Sequence, residues 1–221
     1  MAKQKILQCK KIEKTPILVG GTGLYFKALT EGLVNIPKIP INFRNKVRNL
    51  HKKIGQKKFF LELLKIDPLI KNQINSLDVQ RSLRAYEIKS FTKKSMISWF
   101  KNTKSDYDNN DFYKICIDFP RKDLIERINK RTENMIKSGA ILEVKKFIKL
   151  RVPKNKSLSK AIGISEINQY LQKKIQTEQL IEKISIKTRQ YAKRQSTWAR
   201  GHMKDWNKVN PAGLEKLLKK I

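Results

Sequence analysis

The stretch Pro16-Ile17-Leu18-Val19-Gly20-Gly21-Thr22-Gly23-Leu24-Tyr25 holds residues whose types and order could do chemistry. An apolar run, Ile17-Leu18-Val19, breaks into glycines and hands over to an apolar helix start. Glycines at such a turn expose backbone N–H groups with no Cβ to block an approaching anion. Thr22 adds a hydroxyl at the same place. A phosphate site and an ordinary tight strand-to-helix turn share this pattern, so the stretch alone leaves both open.

Three further groups are polar and spaced for helices. After Asp78, Gln80, Arg81 and Arg84 fall three and four apart, which gathers them on the exposed side of a helix with Val79, Leu83 and Tyr86 on its buried side. An amide beside two guanidinium forks suits a base edge flanked by phosphates. A solvated face pairing with Glu87 is the plainer alternative. Past Pro120, Arg127 and Arg131 are spaced to clamp a diphosphate or to form a surface ladder with Glu126 and Glu133. On a helix starting near Thr177, Arg189, Lys193, Ser196 and Arg200 form a stripe beside Tyr191 and Trp198. Cations beside aromatics make a groove for RNA with stacking at its edge, although such aromatics also suit a core face.

Composition favours a polyanionic partner. Net charge is +31, from 50 Lys and Arg against 19 Asp and Glu, and nucleic acid relieves such self-repulsion. Lysine is abundant along the whole chain, so arginine placement says more than the total. Cys9 and Cys116 are far apart without a CxxC, and His51 and His202 stand alone, which argues against a disulfide framework or a zinc site. No apolar run approaches the ~20 residues of a membrane span, and the N-terminus lacks a signal-peptide core. A soluble, cytoplasmic protein is expected.

The elements that must position these groups can be read from the pattern. Residues 3–13 look like the end of an amphipathic helix leading into a buried strand at 17–19, half of an α/β unit. Gly32 and the stiff Ile36-Pro37-Lys38-Ile39-Pro40 close this part. A helical region follows, with Phe43, Val47 and Leu50 on one face and Phe59-Phe60 with Leu63-Leu64 on another, stopped by Asp67-Pro68. Asp78 is placed to cap a helix over 79–91. A polar loop at 101–111 precedes a half-buried strand at 113–119. A long helix over 122–149, broken at Ser138-Gly139, and a final one over 177–200 complete an α/β domain with a helical insertion.

Together these stretches resemble one family, the tRNA dimethylallyltransferases or tRNA isopentenyltransferases. The matching blocks are PILVGGTGLYFKAL at 16–29, DVQRSLRAYEI at 78–88, RKDLIERINKRTENMIKSGAILEV at 121–144, AIGISEINQYL at 161–171 and TRQYAKRQSTW at 188–198. They fall in the family's order and span nearly the whole chain. The resemblance implies an α/β fold with a partial P-loop-type core and a helical insertion, predominantly α by residue count. The core would comprise residues 1–43 and, with the C-terminal helices, 111–221; the tRNA-contacting insertion would cover 44–110. The implied reaction moves a dimethylallyl group from dimethylallyl diphosphate to the N6 amine of the adenosine next to the anticodon, flipped into a channel. Thr22 matches the GGT threonine beside the reacting centre, in contact with tRNA. The segment Gln80-Arg81-Ser82-Leu83-Arg84 matches a tRNA-contacting stretch, Arg44 falls at the spacing of another such arginine, and Arg189, Lys193 and Arg194 lie in a further RNA-facing stretch. Arg127 and Arg131 are the candidate diphosphate ligands. tRNA and dimethylallyl diphosphate are the implied partners of a monomer, and Mg2+ is the expected ion, with no ligand identifiable.

The chain departs from the family's pattern in several places. The glycine-lysine phosphate loop and the Asp-Ser-x-Gln segment carrying the general base have no counterpart among these residues. Lys93 stands where a glycine is usual, Ile164 where Tyr is, Tyr86 where Leu is, and Ala199 where an aromatic is. The expectation is an N-terminally truncated or mis-started member that keeps tRNA binding but cannot transfer a prenyl group alone. The alternatives are a non-catalytic tRNA-binding remnant and one half of a split enzyme.

Overall fold

In the computed structural model, which describes residues 2–153 and 156–219, the chain divides into two compact units. One is Met1–Gly23 with Tyr113–Ile221, and the other is Leu24–Phe112. In chain order the elements are α1 (Ala2–Lys11), α2 (Gly23–Thr30), α3 (Ile41–Ile66), α4 (Val79–Thr92), α5 (Met96–Lys101), β1 (Ile115–Ile117), α6 (Arg121–Met135), α7 (Ile141–Lys149), α8 (Ile164–Leu171), α9 (Thr177–His202), β2 (Asn207–Val209) and α10 (Leu214–Leu218). Helices dominate, as expected.

In the unit Leu24–Phe112, α3 packs on α4. Pro68 ends α3 because the residue before a proline is pushed out of the helical region, and Asp67 has φ −141°. Gly55 interrupts the helix at φ 75°, ψ 165°, a conformation open essentially only to glycine. Beyond the kink, Gln56 donates from Nε2 to Ser82 Oγ at 3.2 Å and accepts at Oε1, 2.9 Å from His51 Nε2. Asp78 caps α4 by accepting from the Arg81 N–H at 3.0 Å, and Lys93 closes the helix in the left-handed region at φ 61°. The core gathers Leu63, Ile70, Ala85 and Ile88 with Ile39, Ile74 and Met96.

The buried stripe of α4 is not the one expected. Ser82, Ala85, Glu87 and Ile88 are buried, whereas Val79, Leu83 and Tyr86 are half-buried. The polar members can go inside because they are satisfied there: Ser82 Oγ donates to Asp78 O at 2.7 Å and accepts from Gln56. Tyr86 instead lies against Phe59, with ring centroids 4.9 Å apart.

In the other unit, α6 and α8 both pack on α9, around a core of Ala140, Val144, Ile167, Leu180 and Ile184. The expected break in the long helix is a π-type turn over Ile136–Ala140, with Gly139 at φ 101°. Strand β1 pairs in parallel with β2, Cys116 opposite Lys208. The expected strand at 17–19 is not formed, and Ile17 and Val19 are 73% and 90% exposed. A strand needs a neighbour for its N–H and C=O groups, and among the described residues only β1 and β2 pair.

An alanine Cβ at position 55 would meet nothing within 4 Å, so its whole cost is conformational. Gly55→Ala should destabilise the protein by about 1–3 kcal/mol, read as a lowered midpoint in urea denaturation.

Candidate nucleic-acid interface

In the unit that carries α9, Thr22 is exposed and directly precedes the first residue of α2. The turn is held from α9. Gln195 donates from Nε2 to the Gly21 carbonyl at 3.0 Å, across 174 residues of sequence. Trp198, one helical turn further on, lies against Gly23. A Cβ built on Gly21 would stand 2.2 Å from Gln195 Nε2, and one on Gly23 would stand 2.0 Å from Trp198 Cε3 and Cζ3. Gly23 is required because the Trp198 ring fills the space beside it, whereas a Cβ at Gly21 would displace the amide end of Gln195. Trp198 also stacks on His202, centroids 4.4 Å apart and nearly parallel.

The cations of α9 are presented on the same helix. Lys193, Arg194 and Arg200 are exposed and Arg189 is half-buried. Arg194 sits 5.7 Å from the ring centroid of Tyr191, which is itself exposed. The expected pairing of Tyr191 with Trp198 on one face thus resolves into two roles: Trp198 packs on the turn, and Tyr191 supports a guanidinium.

Also in this unit, Arg127, Lys130 and Arg131 are exposed on α6 and line an open depression of about 430 Å³ with Asn134, Met135 and Ser138. Arg127 lies over Phe119 at 4.7 Å. Among the described residues neither arginine pairs with Glu126 or Glu133, so the ladder alternative does not form. Glu166, buried, accepts from the Gly163 N–H at 3.0 Å and from Lys187 Nζ, which fixes the turn before α8 to α9.

The unit Leu24–Phe112 holds the second cationic group, and its organiser is Glu87. This carboxylate is buried, with Oε2 3.2 Å from Arg44 Nε of α3 and 3.6 Å from Arg84 Nη1 of α4. A buried carboxylate stays charged only when paired, and here one carboxylate gathers two partly exposed guanidinium groups. Arg81 is exposed and pairs with Asp78 at 2.8 Å, and Gln80 is exposed beside it. Ser82 is fully buried with its hydroxyl already bonded, and Leu83 is half-buried. The polar surface of the 80–84 segment is therefore Gln80, Arg81 and Arg84.

Sequence reasoning missed two organisers, Glu87 and Gln195. Glu87 had entered only as a surface partner, because an acidic residue on a basic helix reads as solvated. The signal for Gln195 was its i, i+3 spacing from Trp198. Burial pushes the Cys116 thiol up from its usual value, Asp118 adds to this and Lys208 opposes it, which leaves the thiol a weak nucleophile. Among the described residues no three His, Cys, Asp or Glu side chains cluster to hold a metal, so they do not fit Mg2+ as an all-protein site. No helix among them is long and apolar enough to cross a membrane.

Residues 1–202 match the model of a family described as IPP transferase. A tRNA dimethylallyltransferase of Pelagibacter ubique (strain HTCC1062) is 55% identical over 218 residues, covering 99% of this chain and 70% of that protein. One from Rickettsia massiliae (strain Mtu5) is 41% identical over 207 residues, covering 93% of this chain and 57% of that protein. The solved full-length tRNA isopentenylpyrophosphate transferase of Bacillus halodurans is 29% identical with a TM-score of 0.58, covering 95% of this chain and 64% of that one. A eukaryotic dimethylallyltransferase acting on tRNA shares the fold, with a TM-score of 0.73 at 24% identity, and 54% of its chain is covered. The chain therefore spans between about half and seven tenths of the length of these relatives.

The grip of α9 on the glycine turn can be tested by adding a single methyl. Gly23→Ala drives a Cβ into Trp198 and should destabilise by about 1–3 kcal/mol. Gly201→Ala, with nothing within 4 Å, should instead stabilise α9 by up to ~1 kcal/mol. Urea denaturation midpoints of the two variants should move in opposite directions.

Proposed function

This chain belongs to the IPP transferase family, and on that premise we propose that it serves in transferring a dimethylallyl group to the N6 amine of the adenosine next to the anticodon of tRNA. The observation that carries this reading is the double use of α9. One stripe of the helix presents Arg189, Lys193 and Arg200, Arg194 is exposed beside Tyr191, and Gln195 and Trp198 hold the turn that presents Thr22. One rigid element thus joins a surface suited to RNA backbone to the hydroxyl beside the proposed reacting centre.

In the proposed reaction the adenosine amine attacks the first carbon of the dimethylallyl group, the carbon–oxygen bond to the diphosphate breaks with the electron pair leaving on the diphosphate, and the amine's proton is lost to the departing diphosphate or water. Negative charge builds on the leaving oxygen, so donors and cations aimed there lower the barrier. Thr22 would donate one hydrogen bond, and Arg127 and Arg131 would supply charge to a diphosphate. Extruding the base costs a few kcal/mol of stacking, which Gln80, with the guanidinium groups of Arg44, Arg81 and Arg84, would help repay along the RNA.

A finer proposal is that these 221 residues bind tRNA by themselves, whereas turnover also needs a phosphate-loop segment. A prenylation assay with labelled dimethylallyl diphosphate and cognate tRNA should give no turnover with this chain alone. Robust turnover lost on Thr22→Ala would contradict it.

Two binding measurements test the tRNA reading. Filter binding should weaken steeply with salt, by about 10³-fold between 50 and 200 mM if some six phosphates are engaged; a flat response would sink the idea. Gln80→Ala should cost ~1–3 kcal/mol on an anticodon stem-loop with the target adenosine and much less on one without it. Equal losses on both RNAs would make Gln80 a surface residue only.

A further inference from the structure

We propose that Gln195 is a positioning residue for Thr22, acting through the Gly21 carbonyl and backed by Trp198 against Gly23; the inference rests on the reading of Thr22 given above. The bond is directional. Gln195 uses its amide N–H at 3.0 Å on a backbone carbonyl, and a carbonyl can only accept. The amide supplies an uncharged donor there. Segment 13–20 leading to Thr22 has no regular structure, so local hydrogen bonding does not fix where the hydroxyl points. The fix comes from α9 on both sides of it, at Gly21 and at Gly23. A glutamine directly after Lys193 and Arg194 in sequence would ordinarily be read as an RNA contact. Here its donor is spent on the protein, and its effect on RNA passes through Thr22.

The consequence separates selectivity from affinity. Loss of the Gln195 bond should leave the cations of α9 in place and non-selective RNA binding unchanged, while the preference for the target adenosine falls. The near-isosteric Gln195→Glu sets a carboxylate oxygen against the Gly21 carbonyl, so the attraction becomes repulsion. Gly21→Ala attacks the same contact from the other side, since its Cβ would meet Nε2 at 2.2 Å.

The experiment measures binding of the full chain to two anticodon stem-loops, identical except for the target adenosine, with wild type, Gln195→Glu, Gly21→Ala, Thr22→Ala and the Gln195→Glu/Thr22→Ala double variant. Circular dichroism confirms that each is folded. Wild type should prefer the adenosine RNA, and either Gln195→Glu or Gly21→Ala should cut that preference by roughly three- to tenfold, the scale of one hydrogen bond. Binding of the other RNA should not change with Gly21→Ala; the carboxylate of Gln195→Glu lowers binding of both RNAs through charge, so there the ratio between the two RNAs is the readout. In the Thr22→Ala background Gln195→Glu should reduce the preference no further, which a merely structural role would not produce. An intact preference in both single variants, equal losses on both RNAs, or additive losses in the double variant would each overturn the positioning role alone. Failure of wild type to bind either RNA would overturn the tRNA reading and this inference with it.

Discussion

The contact on which the site depends is the one that α9 makes with the glycine turn. Segment 13–20 has no helix or strand of its own, and its apolar residues Ile17 and Val19 face solvent. What fixes the turn at its end is a single amide-to-carbonyl hydrogen bond from Gln195 and the flat indole of Trp198 against Gly23. Both require the absence of a Cβ. The GGTG sequence and the RQSTW sequence therefore form one structural statement written in two places, and neither explains itself alone. Helix α9 can serve as the anchor because it is buried elsewhere, at Leu180 and Ile184, and is packed by α6 and α8.

Charge is organised by a different rule in the unit Leu24–Phe112. A protein with net charge +31 repels itself, yet Arg44 and Arg84 are brought together. The buried Glu87 makes this possible by neutralising part of their charge while leaving each guanidinium partly exposed. Replacing that carboxylate would release two like charges as well as one bond. Arg127 and Arg131 of the other unit have no acidic partner among the described residues.

Much of the local structure was legible in the sequence. Asp78 capped α4 as its type and place required, Gly139 broke the long helix, and Asp67-Pro68 stopped α3. The strand at 17–19 failed because apolar alternation reports a wish for burial and cannot supply the partner strand. Strand β2 was missed because Asn207-Lys208-Val209 is short and mostly polar, and it exists through pairing with β1. The buried stripe of α4 was misread for a related reason. Ser82 and Glu87 look like surface residues until Gln56 and Arg44, distant in sequence, satisfy them. In each case the missing information lay in a long-range partner. The candidate site residues were proposed from type, spacing and family resemblance, whereas the contacts made by the residues that hold them, Gln195 and Glu87, were visible only once the chain was folded.

The most direct test of the coupling between α9 and the glycine turn is amide hydrogen exchange of the chain with and without an anticodon stem-loop, since exchange reports local opening segment by segment. Residues 188–200 and residues 20–25 should slow together when RNA is added. Protection of the α9 segment with unchanged exchange at 20–25 would contradict the claim that one element both receives the RNA and fixes Thr22.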